Sequence, residues 1–260
     1  MRRLASFAVL ALYATSAFGI DVLVRVVPVV GSTPGNFGSF FRTGVQFRNG
    51  GGADLNGHFV FHPTGRSAQS NDPVIPFSIP SDTTMSWDDI VGGAGLTGIG
   101  SLDMLLPAQN ASSSPVLITR VYNDAGAAGT SGFTEDSVDP NQRGSGSPVL
   151  TEGTTGILIA PSDLTHFRFN VGIRTLSSGV GFLLVIRDGN GTTRHSEVRS
   201  YDPSFFEQIG GDDFAGVALQ ENDSIEMTLE RGSVIVYGAT TDNTTNDPSF
   251  QYARVVPRTN

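Results

Sequence analysis

Residues 165–191 have the sequence THFRFNVGIRTLSSGVGFLLVIRDGNG, and this stretch decides the fold. In its first half, apolar residues alternate with polar ones and share one face at Phe167, Phe169, Val171 and Ile173. An alternation with a period of two is typical of a β-strand that has one buried and one solvent-facing side. The pattern therefore predicts a strand whose polar residues, including Arg168 and Arg174, face water.

A glycine-containing break and a turn follow this strand. Ser177-Ser178-Gly179 interrupts the alternation, and 182–186 is a more continuously apolar second strand. Asp188-Gly189-Asn190-Gly191 is a strong signal for a hairpin turn. The segment 39–65 has the same order of strand, glycine-rich turn and strand. The sequence therefore predicts two copies of one β-unit.

Ordered matches between the two halves support an internal repeat. Five pairs of segments correspond: Arg42 with Arg168, Val45 with Val171, 87–90 with 206–209, 101–104 with 224–227, and 116–124 with 234–242. Each half has about seven predicted strands, which is the size of an immunoglobulin-like sandwich. We predict an all-β fold of two tandem antiparallel β-sandwich domains. Short connecting segments are predicted around Trp87 and Phe206, and the one around Trp87 is predicted to contain one helical turn.

The predicted organisation has four parts. Residues 1–19 have the charged start, apolar run and small residues of a cleaved signal peptide. Residues 20–124 form the first sandwich repeat, and 149–260 form the second. Residues 125–148, rich in Gly, Ser and acidic residues, are predicted to be a linker or a long surface loop. The mature chain is therefore expected to be secreted, periplasmic or on the cell surface.

Composition excludes several classes of chemistry. The chain has no Cys, and all of its 16 basic residues are Arg. Thiol catalysis, cysteine–zinc sites, Schiff-base lysines and phosphate-binding loops that need a lysine are therefore absent. The formal net charge of −9 disfavours nucleic acid as a partner. No G-x-S-x-G motif marks a serine nucleophile.

The metal-site candidates are oxygen-rich loops. Asp242, Asn243, Asn246 and Asp247 are the best calcium candidates, because calcium prefers carboxylate and amide oxygens. The same Asn-Asp-Pro residues are also ordinary turn formers. No other cofactor is predicted.

Histidines and paired carboxylates are the remaining candidates for chemistry. His58 and His62 are four residues apart on a strand, about 13 Å along the chain, which is too far for one metal ion. They are expected to face solvent. Asp103 and Glu226 occupy matching positions in the two halves and could form the carboxylate pair of a glycosidase. We interpret both as solvent-facing residues of a strand.

Arg42 and Arg168 are assigned a structural role, in which each holds a carboxylate between strands. A smaller echo joins the two ends: Arg25-Val-Val-Pro28 recurs as Arg254-Val-Val-Pro257. Two ordinary edge strands explain it, and so does a final strand that completes the first unit or a neighbouring molecule by edge addition.

Three short motifs carry a resemblance to a known group of proteins. They are the F-R-x-x-V pattern at Phe41 and Phe167, the Asp188–Gly191 turn, and the T-D-N-T-T-N-D-P segment at 241–248. In these the chain resembles uncharacterised secreted bacterial proteins built from paired β-sandwich repeats. The resemblance implies fold and export, and it brings no catalytic residues.

Two functions follow from these observations as expectations. The first is a secreted, non-catalytic module for extracellular binding, adhesion or structure, with a protein or glycan partner. The alternative is a secreted carbohydrate-active enzyme, another hydrolase or an accessory protein whose site is built from loops. A deep cleft lined by Asp, His and aromatic residues would favour the alternative.

Overall fold

Strands dominate the computed structural model, which describes residues 21–110, 115–144 and 146–257. The first nine strands are β1 (Asp21–Pro34), β2 (Phe40–Arg48), β3 (Leu55–Pro63), β4 (Arg66–Ser67), β5 (Val74–Ile79), β6 (Thr84–Trp87), β7 (Gly98–Pro107), β8 (Val116–Asp124) and β9 (Thr130–Asp136). The others are β10 (Val149–Thr151), β11 (Thr154–Ile159), β12 (Phe167–Arg187), β13 (Thr193–Tyr201), β14 (Phe205–Gly210), β15 (Ser224–Asp242), β16 (Pro248–Tyr252) and β17 (Arg254–Pro257). One short helix, α1 (Ile90–Gly93), lies between β6 and β7. The predicted signal peptide, 1–19, lies outside the described residues.

The strands form two antiparallel sheets. The first has the order β5-β3-β7-β1-β2-β8-β9, with β6 beside β2. The second has the order β17-β11-β15-β12-β14-β4, with β10 and β16 beside β15 and β13 beside β12. Antiparallel pairing throughout confirms the predicted all-β class.

Corresponding strands make similar pairs in the two sheets. β2 lies between β6 and β8, and β12 pairs with β14 and β15. Val45 is opposite Trp87 in the first sheet, and Val171 is opposite Ile209 in the second. The repeat aligns Trp87 with Phe206, but Phe206 lies opposite Arg174, so the two registers differ by three residues and the internal repeat stays a prediction.

Two very long strands, β12 and β15, carry the second sheet. Each is interrupted once by glycine: Gly179 and Gly232 have positive φ angles of 65° and 80°. The register between the strands shifts between Thr175 and Val180, just where Gly232 faces Val180. A side chain at Gly232 would collide with the backbone of Gly179, so the close approach requires glycine. The predicted break at 177–179 is therefore an irregularity within one strand.

Each sheet has its own apolar core. The first core includes Phe47, Phe59 and Phe77, whose rings contact one another edge-on or tilted at centroid distances of 5.0 to 6.2 Å. The second core takes side chains from both halves of β12, among them Phe169 and Phe182. These are the apolar faces that the alternation predicts.

A third set of buried contacts joins the two sheets. Val29 of β1 packs with Phe206 and Tyr237 of the second sheet. Val26 packs with Leu176 and with other residues of the second sheet in a neighbouring cluster. Strand β4, from the first half, pairs with β14 and so extends the second sheet. Strands β1 and β4 of the first half therefore form an interface with the second sheet.

The segment 125–148 differs from the predicted linker or long loop. It contains β9, which pairs along its whole length with β8. Val138 then forms a bridge with Val26 of β1 through two backbone hydrogen bonds of 2.7 and 2.8 Å. Backbone pairing with β8 stabilises this strand, so its weak apolar alternation did not reveal it.

Two smaller predictions also need correction. The residues before Trp87 form strand β6 instead of a helical turn, and helix α1 begins later, where the Asp89 carboxylate caps the Gly92 amide at 2.8 Å. Phe205 and Phe206 belong to strand β14. The last strand, β17, pairs with β11 in the second sheet and does not complete the first. No helix in the described part of the chain is long and apolar enough to span a membrane.

Candidate functional site

A buried network of charged side chains crosses the interface between the sheets. Arg174 of β12 donates two hydrogen bonds from Nη2 to the Asp103 carboxylate of β7, at 2.7 and 2.8 Å. Its Nε donates to Ser101 Oγ at 2.8 Å, and its Nη1 donates to the Thr175 carbonyl. Every nitrogen of the guanidinium therefore has an acceptor.

His62 continues the network on the far side of Asp103. Its Nε2 lies 3.1 Å from Asp103 Oδ2, in a direction that is poor for a hydrogen bond. Its Nδ1 lies 2.7 Å from Asp72 Oδ2, and Arg66 pairs with the other oxygen of Asp72. The exposed fractions are 1% for Arg174, 4% for Asp72, 5% for His62 and 7% for Asp103.

The two carboxyl groups of the network are held in their charged form. Burial opposes ionisation of Asp103, but the positive charge of Arg174 and the contact with His62 outweigh it, so the pKa lies below its ordinary value. Burial also opposes ionisation of Asp72, but hydrogen bonds from the Gln69 amide, His62 and Arg66 outweigh it, so the pKa of Asp72 is lowered. The charges of this network are therefore inaccessible to solvent and are paired mainly with one another.

This network corrects three predictions. His62, Asp103 and Arg174 were each expected to face solvent, and all three are buried. The reason is that the polar face of each strand packs against the polar face of the other sheet. His58 remains half-buried, with Nδ1 4.0 Å from Asp21 Oδ2. Glu226, the proposed partner of Asp103, instead pairs with Arg187 at 3.2 Å.

A second buried acid lies further along the same interface. Glu135 of β9 is 1% exposed, and neither carboxylate oxygen accepts a well-formed hydrogen bond among the described residues. Burial raises its pKa well above the usual range, and the Val29 amide and Tyr252 hydroxyl oppose this only in part. Glu135 also borders an open cleft of about 980 Å³ between β9 and the β16–β17 segment. No sequence signal distinguished Glu135 from an ordinary surface acid.

Arg42 lies between two carboxylates, and its structural role stays a prediction. Its Nη1 lies 2.9 Å from Asp89 Oδ2, and its Nε lies 2.9 Å from Asp124 Oδ2. The first of these carboxylates is the cap of α1, so Arg42 ties the helix to β2 and β8.

Arg168 has different surroundings. Its Nη2 donates to Asn246 Oδ1 at 2.9 Å, and its Nη1 donates to Asn243 Oδ1 at 3.3 Å and to the Asp242 carbonyl at 3.4 Å. The guanidinium also lies over the Phe37 ring, 5.6 Å from its centroid. Within the described ranges no carboxylate oxygen lies within 4.0 Å of it.

The calcium candidates thus form the loop that surrounds Arg168. Asp242 Oδ1 accepts from the Thr244 and Thr245 amides at 2.7 Å each, and the Asp247 amide donates to Thr245 Oγ1 at 3.3 Å. The Asn243 and Asn246 oxygens accept from Arg168, so a cation would have to displace the guanidinium. No group of three or more His, Asp or Glu suited to a metal was found in the described part of the chain. Calcium binding by this loop stays a prediction.

An inter-sheet cleft opens beside Arg168. Its volume is about 300 Å³. Apolar side chains of the first sheet form one wall: Val29, Phe41, Ile99, Val121 and Phe133. The second sheet forms the other wall with the polar side chains of Arg168, Asn170, Gln208 and Thr241 and with two apolar residues, Ala239 and Pro248. This volume is at the lower end of the range of small-molecule sites, and one apolar wall facing a few polar groups is usual for them.

Neither the cleft nor its walls could be located from the sequence. Phe41 and Phe133 are separated from Arg168 by more than thirty residues, and no motif links them. A search of protein-family models, curated proteins and solved structures found no match to the chain.

Proposed function

We propose that the protein is an exported, non-catalytic binding module that takes a small ligand in the inter-sheet cleft. The proposal joins the sequence-based expectation of an extracellular binding protein to a particular place in the fold. The ligand would enter beside Arg168 and lie between the apolar wall of the first sheet and the polar wall of the second.

The observation that carries this proposal is where the reactive side chains lie. The cluster of Asp, His and Arg is buried between the sheets and paired within itself. The cleft instead presents a guanidinium, three side-chain amides and hydroxyl groups, which can orient a ligand. Among the residues that line it there is no carboxylate or imidazole to act as a general base or to activate a hydroxyl as a nucleophile.

The alternative of a glycosidase receives less support. A glycosidase needs two carboxyl groups on opposite sides of one accessible bond. Asp103 of β7 is paired with Arg174 of β12 in the interior. Glu226 of β15 is paired instead with Arg187, at the far end of β12. The only Trp, Trp87, packs edge-on against Phe59 at 6.0 Å, which is a core contact.

Binding of a neutral aromatic probe tests the proposed site. We expect N-phenyl-1-naphthylamine to bind with a stoichiometry of one, measured by its fluorescence. Filling the cleft by Ala239→Leu, or independently by Thr33→Phe, is expected to weaken binding at least about tenfold, because each residue borders the cleft. The control is Thr83→Phe, at an exposed turn outside the cleft. Binding that both cleft-filling variants leave unchanged, while they remain folded by near-UV circular dichroism, would overturn the proposal.

Export has its own test. We expect intact-mass analysis of the protein from the extracytoplasmic fraction to show loss of residues 1–19, with Ile20 as the first residue. The unprocessed chain in the cytoplasm as the only product would contradict export.

A further inference from the structure

Arg42 and Arg168 occupy matching places in the two sheets but have opposite electrostatic surroundings. Arg42 lies opposite Tyr122 of β8, and Arg168 lies opposite Thr241 of β15. Two carboxylates neutralise Arg42 directly. Arg168 is held instead by two amide oxygens and one carbonyl, which orient a guanidinium without neutralising its charge.

The carboxylate that corresponds to Asp124 in the repeat is engaged elsewhere. Asp242, which is the last residue of β15 as Asp124 is of β8, directs Oδ1 to two backbone amides of its own turn. The charge of Asp242 still favours the protonated form of Arg168, but burial acts more strongly and lowers the pKa of Arg168. A partly desolvated cation without a contacting anion is a place where an anion is favourable.

The Arg168 guanidinium also has N–H donors that its neighbours do not use. Arg has five N–H groups in a planar fork. Three hydrogen bonds to its neighbours involve only Nη1 and Nη2, so the Nε–H has no acceptor among the described residues. Asn170 and Gln208 border the same cleft, and the side-chain oxygen of Gln208 accepts from the Tyr237 hydroxyl at 2.8 Å, which leaves its NH2 group as a donor. A carboxylate or sulfonate could therefore accept from more than one donor.

The opposite wall of the cleft selects the rest of the ligand. Phe41 and Phe133 supply aromatic surface, and Val121 supplies aliphatic surface between the sheets. Covering such surface is favourable by roughly 25 cal/mol per Å² of apolar area. An inorganic anion would leave this wall uncovered, whereas an organic anion with a flat apolar body would fill the cleft.

We infer that the inter-sheet cleft binds a small organic anion, whose charged group pairs with Arg168 and whose apolar body lies against the wall formed by the first sheet. This inference rests on the proposed binding function and adds the chemical class of the ligand. The loop 242–247, which surrounds the guanidinium, has the role of positioning it.

Two probes with the same ring system test the inference. 8-Anilinonaphthalene-1-sulfonate carries a sulfonate that N-phenyl-1-naphthylamine lacks. We expect the sulfonate probe to bind at least about tenfold more tightly to the wild-type protein than to Arg168→Gln, because a charge-assisted contact is lost. The neutral probe is expected to bind both proteins within about twofold, since its contacts are apolar. Near-UV circular dichroism at the same temperature verifies that the variant is folded.

Arg42→Gln is the matched control, because it removes an equivalent arginine that lies outside the cleft. It is expected to leave the affinity for both probes unchanged. Asn246→Leu removes one acceptor that positions Arg168 and provides a second variant, expected to weaken the sulfonate probe alone. If Arg168→Gln leaves the sulfonate probe unaffected while cleft-filling variants exclude the neutral probe, the inferred ligand class is wrong and the binding site stands. If the cleft-filling variants leave the affinity for the neutral probe unchanged, the proposed function is wrong as well.

Discussion

Glu135 should make the free energy of unfolding fall as the pH rises. Its side chain is buried at the sheet interface, and neither of its oxygens has a well-formed hydrogen bond in the described part of the chain. Burial raises its pKa well above the ordinary value of 4.5, so the folded protein holds a proton that the unfolded chain releases. The perturbation we consider is Glu135→Gln, which keeps the shape and removes the titration.

The sign and size of the effect follow from proton linkage. A group whose pKa is raised on folding contributes its full stability below the unfolded value and loses it as the pH rises towards the folded value. Within that window the unfolding free energy falls by about 1.4 kcal/mol for each pH unit. Because the window begins near pH 4.5, the loss is expected to be under way at pH 6 and larger at pH 7.

Urea unfolding of both proteins between pH 5 and pH 8 measures this effect. Other titrating groups are shared, so they cancel in the difference between Glu135→Gln and the wild type. We expect that difference to shift in favour of the variant by about 1.4 kcal/mol per pH unit within the window. Glu230→Gln, at an exposed position of β15, is the matched control and should run parallel to the wild type. Parallel curves for Glu135→Gln and the wild type would refute the reasoning.

Three further predictions concern the sheet interface and the Arg168 loop. Arg174→Met should destabilise the protein by about 3–5 kcal/mol, because it leaves the Asp103 charge buried without a partner. In urea unfolding, the double variant with Asp103→Leu should recover part of that loss. Additive losses of stability in the double variant would contradict the pairing. Gly172→Ala should lower the free energy of unfolding by about 1–3 kcal/mol, because the added carbon collides with the Tyr237 ring. Gly50→Ala, with open space around it, should change the melting temperature little. Equal changes in melting temperature for the two variants would refute this. If 242–247 binds calcium, calcium should raise the melting temperature relative to chelator, and Asp242→Asn should abolish the difference; an unchanged melting temperature would count against the site.

The local pattern of the sequence predicted most of the strands and their buried faces. Phe169, Val171 and Phe182 lie in the second core, as alternation in 165–191 predicts. The all-β class follows because alternation needs only the pleat of a strand and a partner sheet. Strand β9 escaped prediction because backbone pairing with β8, and not an apolar face, stabilises it.

The polar faces show the limit of such reasoning. A polar residue that alternates with apolar ones is expected to face water, and this expectation was wrong for His62, Asp103 and Arg174. His62 has its hydrogen-bond partner, Asp72, only ten positions away, but Arg174 and Asp103 pair across the two sheets and are 71 positions apart. Only the packing of one sheet on the other supplies both the burial and the opposite charge.

The candidate site also has some features that the sequence predicted and others that only the tertiary structure shows. Sequence comparison of the two halves singled out Arg42 and Arg168 as equivalent positions, and it identified the oxygen-rich loop 242–247. Tertiary structure decided that Asp89 and Asp124 neutralise the first arginine, whereas amide oxygens hold the second beside an apolar cleft. Residue type and periodicity thus determined the strands and the presence of both arginines. Their different electrostatic roles arise from long-range contacts, because the field at a charge depends on which distant groups the fold brings within a few ångströms.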